Sequence, residues 1–130
     1  MINYIIVFAG GGTGAAVRFA LGTLIGQRWG RSFPLGTFMV NIFGSFLIGL
    51  LMTLMAERFL ENPEWRLFFV VGGLGGYTTF STFQYETGKL VADGELIYAA
   101  LNIGLSVFFG FAALKFGEVI AKSILEINIW

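Results

Sequence analysis

The stretch Gly72-Gly-Leu-Gly-Gly-Tyr-Thr-Thr-Phe-Ser-Thr-Phe-Gln-Tyr-Glu86 decides how this chain is read. Its glycines and hydroxyls would suit a surface loop. Here it follows the apolar run Leu67-Phe-Phe-Val-Val71 and fills most of a segment long enough to cross a bilayer. Irregular backbone at membrane depth is tolerated only where it is buried in protein or lines a polar cavity. Carbonyls and half-helix ends exposed there can hold an ion. The stretch therefore predicts an interrupted helix that carries a site.

The rest of the chain supports a membrane setting. Of its 130 residues 56% are hydrophobic and 12% charged, with a mean hydropathy of +0.79, whereas soluble domains carry about 25% charged residues. The absence of cysteine excludes disulfides and thiolate chemistry, and the absence of histidine removes the commonest general base and metal ligand. Eight basic and eight acidic residues cancel without forming a basic stripe, so no nucleic acid is expected as a partner. Met1-Ile-Asn-Tyr lacks a charged leader, and the first apolar run is read as a retained helix.

Four apolar stretches are expected to span, at Tyr4–Ile25, Pro34–Ala56, Trp65–Lys89 and Glu95–Ile120. The connections are Gln27–Pro34, Glu57–Glu64 and Val91–Gly94, which leave no room for a soluble domain. The expectation is an all-α membrane protein, one four-helix transmembrane domain over residues 1–130, placed in the plasma (inner) membrane as a multi-pass protein. Four passes put both ends on one side, with Arg58, Arg66, Lys122 and Lys115. Arg28, Arg31 and Lys89 lie on the other side, and Arg18 lies inside the first span. Lysine and arginine in short loops normally set orientation, and here the two sides nearly tie. Either a weak bias or insertion in both orientations fits that tie.

Polar groups inside the spans are few, and such groups are costly. Arg18 either guards an anion vestibule or ties down a helix end. Asn41 offers amide donors to an anion, or bonds a neighbouring helix. Asn102 and Ser106 share a helix face and extend a polar track from Asn41 and the third-span hydroxyls. Phe80 and Phe83 also share a face, and the positive edges of their rings suit an anion as well as their bulk suits packing. Gly10-xxx-Gly14, Gly22-xxx-Gly26 and Gly72-xxx-Gly76 fit close helix packing. With no strand before it, Gly10–Gly14 is not a nucleotide-binding loop. Glu86 ends the third span, at a vestibule or as an electrostatic cap.

These residues resemble the Fluc family of small dual-topology fluoride channels, through Gly14-Ala-Ala-Val-Arg18, Gly36-Thr-Phe-Met-Val-Asn-Ile-Phe-Gly44 and above all Gly75-Gly-Tyr-Thr-Thr-Phe-Ser-Thr-Phe83. The resemblance covers essentially the whole chain. It implies an antiparallel homodimer in the lipid bilayer, with two fluoride pathways, a broken third helix and a role in fluoride resistance. It implies pore roles for Asn41, Phe80, Phe83 and Ser106, and a central structural sodium ion held by backbone carbonyls of Gly75 and Thr78 from both subunits. Asn102 stands where some members carry tyrosine. Arg18 and Glu86 are placed in the vestibules.

The main rival is a four-helix dual-topology exporter of cationic compounds, which would want a carboxylate at membrane depth. Glu57, Glu61, Glu64, Glu86, Asp93, Glu95, Glu118 and Glu126 all fall at span ends or in loops. An assembly subunit without transport would leave the broken helix unexplained. An enzyme is not expected without His, Cys or paired buried carboxylates.

Overall fold

A computed structural model describes residues 1–30, 32–56 and 62–127. Arg31, Glu57, Arg58 and Glu61, which enter the charge comparison, lie outside the described residues. Among the described residues every regular element is helical. Helices α1 (Ile2–Trp29), α2 (Leu35–Ala56) and α6 (Leu96–Ile127) are each long and apolar enough to cross a membrane. At 1.5 Å per residue they measure about 42, 33 and 48 Å against a hydrocarbon core of about 30 Å, so α1 and α6 must tilt or run past it. The chain is a multi-pass membrane protein.

The third pass is built in pieces. Asn62 caps its start by accepting from the Glu64 amide, with Pro63 at the first helical position. A turn of α-helix, α3 (Pro63–Trp65), continues into a π-helix over Arg66–Leu74 and a further turn, α4 (Gly75–Tyr77). Thr78 and Thr79 are extended, at φ −81° ψ 153° and φ −149° ψ 112°. Helix α5 (Phe80–Ala92) then restarts, with the Thr79 hydroxyl accepting from the Thr82 amide at its N-cap. Asp93 and Gly94 turn the chain into α6, and Gly94 takes φ +80°, where a side chain would be strained.

The interruption thus falls at Thr78 and Thr79, not within the glycines that precede it. Gly72–Gly76 stays helical, and Gly72, Gly73 and Gly76 serve contact with α1. α1 lies so close to the π-helix that a Cβ on Gly14 would strike the Gly73 carbonyl, and one on Gly76 the Gly11 carbonyl. The first and third glycine pairs therefore mesh with each other. Gly22 of the second pair lies instead against Gly36 at the start of α2. α2 packs chiefly along α6, where Gly49 and Gly117 each meet the backbone of the other helix.

Few of the described residues are buried within the chain. Val40, Leu74 and Tyr77 form the core cluster, flanked by Leu47 and Leu51. Phe8, Phe19, Phe108 and Phe111 stay exposed, which is ordinary where lipid is the solvent. Glu118 pairs with Lys115 at 2.8 Å on the outer face of α6.

Candidate functional site

The interruption governs the local chemistry. A broken helix leaves carbonyls before the gap and amides after it without partners from their own helix. The side chain of Asn41, from α2, answers both needs at Thr79. Its Nδ2 donates to the Thr79 carbonyl at 3.1 Å, and its Oδ1 accepts from the Thr79 amide at 2.9 Å. That amide would otherwise close a helical turn onto the Gly75 carbonyl. Arg18 from α1 takes the next carbonyl, donating through Nε to Gly76 at 3.0 Å. Thr78 folds its hydroxyl back onto the Leu74 carbonyl at 2.9 Å.

Beside the gap lies a groove of about 470 Å³ that brings Asn41, Gly75, Thr78, Phe80, Phe83 and Ser106 together. Among the described residues no charged side chain lines it. The rings of Phe80 and Phe83 stand 5.8 Å apart with planes inclined at 38°. Phe83 is buried within the chain, while Phe80 is 72% exposed and marks the groove's open side. Gly75 is also exposed, in ordinary helical geometry (φ −61°, ψ −37°), and a Cβ there would meet nothing within 4 Å.

A second cavity, of about 640 Å³, holds Arg18, Thr37, Thr82, Glu86 and Lys89 together. Thr79 borders both cavities. Glu86 accepts from the Thr37 hydroxyl through Oε1 at 2.8 Å, and its Oε2 is buried with no partner among the described residues. Asp93 and Glu95 also line this space, so its charges are mixed. Arg18 lines this second cavity while its bond to Gly76 holds the end of the interrupted helix.

Asn102 is not brought to the groove. It is 1% exposed, and its Nδ2 donates to the Thr87 hydroxyl at 2.9 Å. The Ser106 hydroxyl donates to the Asn102 side-chain Oδ1 only at 3.5 Å. The sequence reasoning singled out neither Thr37, Thr79, Thr82 nor Thr87. Thr79 and Thr82 had a signal, a hydroxyl at a helix start with a second three residues on. Thr37 and Thr87 had none, because their partners are distant in sequence. Among the described residues no group of three or more His, Cys, Asp or Glu side chains is placed to hold a metal.

The sequence matches the family model described as CrcB-like protein, Camphor Resistance (CrcB), over residues 5–118. A protein named fluoride-specific ion channel FluC from Solibacter usitatus is 48% identical, over 93% of this chain and 99% of its own length. Proteins of the same name from Hydrogenovibrio crunogenus and Ruminiclostridium cellulolyticum are 45% and 42% identical, over 90% and 95% of this chain and 89% and 95% of their own lengths. With a helix interrupted at Thr78 and Thr79, an uncharged groove beside the gap and these relatives along almost its full length, the chain belongs to the CrcB-like family.

Proposed function

We propose that this protein is a passive, fluoride-selective channel of the plasma membrane and not an enzyme. The observation that carries this reading is the uncharged groove holding Asn41, Phe80, Phe83 and Ser106 beside the gap. An anion in transit needs donors that compensate lost water, but no fixed positive charge to trap it. An amide nitrogen has two hydrogens, and Asn41 spends one on Thr79, so the second is left for an ion. Ring edges add positive potential without a formal charge. The relatives' shared name, fluoride-specific ion channel, assigns the same ion.

The channel is an antiparallel homodimer with two pathways. In support, the groove has one wall and an open side at Phe80, and a second copy would supply the other. The near tie of lysine and arginine across the membrane makes both orientations reachable. A sodium ion at the dimer centre would be held by the carbonyls of Gly75 and Thr78. The residues fit that role, since the Thr79 amide turns to Asn41 and leaves the Gly75 carbonyl without that donor. The ion would supply fixed positive charge that joins two helix ends of negative polarity. Arg18 and Glu86 line the vestibule leading toward the gap.

The test is efflux. Purified protein in liposomes should release fluoride rapidly and passively while chloride is retained, each followed by a selective electrode. Release of neither ion, or of both alike, sinks the reading.

A further inference from the structure

A buried network lies behind the groove, and groove-lining Ser106 approaches it through a long bond to Asn102 Oδ1 at 3.5 Å. Thr87, on α5, donates its hydroxyl to the Phe83 carbonyl at 2.8 Å and accepts from Asn102 Nδ2 at 2.9 Å. Thr87 is 6% exposed and Asn102 1%, and neither lines the groove. The chain of bonds therefore runs from α6, through Asn102 and Thr87, to the backbone of a residue whose ring does line it.

We infer that Thr87 and Asn102 are positioning residues for Phe83, fixing the angle and depth at which its ring meets the ion path. The inference rests on the channel reading of the groove. Phe83 lies in the first turn of α5, just past the gap, where a helix is least constrained by its own ladder. A threonine hydroxyl bonded to the carbonyl four residues back bends its helix locally. Here that bond is itself held by a partner on α6, so the bend has one setting. Binding geometry must be kept within about 0.5 Å by supporting bonds of this kind. Both partners are buried, so water does not reach the Asn102 bond to replace it. Asn102 thus acts on the ion through Phe83 without touching it.

Interhelical hydrogen bonds in membranes are individually weak, so their loss should displace the ring before it disrupts assembly. The experiment compares Thr87→Val, Asn102→Leu and Thr87→Ser with wild type, reading fluoride efflux per assembled protein, thermal stability and oligomeric state. Thr87→Val and Asn102→Leu should assemble normally and lose about tenfold or more in efflux, as misplaced groups in a preorganised site do, while Thr87→Ser keeps the hydroxyl and the rate. Introduced into Phe83→Ile, Thr87→Val should cause no further loss. Rates near wild type in both apolar variants would overturn the inference, provided wild type conducts. So would efflux that falls only in step with assembly, or an equal loss in Thr87→Ser. Silent wild-type liposomes would instead overturn the channel reading and this inference with it.

Discussion

At the residue scale, Asn41 shows how far one side chain can be read. The sequence left two uses open, an ion donor and a bond to a neighbouring helix. The second is present at Thr79, and the amide's spare hydrogen keeps the first available. Asn41→Asp would keep an acceptor for the Thr79 amide but place a negative charge on the groove. Fluoride efflux from correctly assembled Asn41→Asp protein is expected to fall to background, and retained efflux would remove Asn41 from the path. The phenylalanines permit a cleaner separation. Phe80→Ile and Phe83→Ile keep bulk and remove the ring, so packing alone predicts a stability loss under about 1.5 kcal/mol with normal conduction. The account expects near-normal dimer yield with sharply reduced efflux.

The elements show why part of the third pass was legible and part was not. Its length, its apolar lead and an interruption somewhere in the Gly72–Glu86 stretch follow from composition alone. The position of the interruption does not, because glycine serves close helix contact and unwinding equally well. Only the placement of α1 against the π-helix shows that Gly72, Gly73 and Gly76 are used for contact. Asn102 could not be separated from the polar track for a similar reason: face-sharing with Ser106 is visible in the sequence, but burial against Thr87 is not. The contact role is testable. Gly14→Val puts a side chain onto the Gly73 carbonyl, and overpacking of this kind typically costs 1–3 kcal/mol, roughly. Gly12→Ala meets nothing within 4 Å. Thermal unfolding in detergent should drop for Gly14→Val and stay unchanged for Gly12→Ala; equal melting would deny the contact.

For the whole molecule, the decisive feature is the open side of the groove at Phe80 and Gly75. Within one subunit Gly75→Val is harmless, since the backbone there is helical and the space around it is empty. In the proposed dimer, damage would arise where the second copy packs. Gly75→Val is therefore expected to keep helical content by circular dichroism while losing dimer by size-exclusion chromatography. Wild-type dimer from this variant would argue against a subunit contact at that position. The claim that unites groove, gap and dimer is passive conduction selective for fluoride. It is tested most directly by the reversal potential of the purified protein in a planar bilayer, under a tenfold fluoride gradient balanced by an impermeant anion, with chloride and sodium equal on both sides. The account predicts reversal close to the fluoride equilibrium potential, about 59 mV in magnitude for a monovalent ion. A current that reverses at zero, or no current at all, would contradict it.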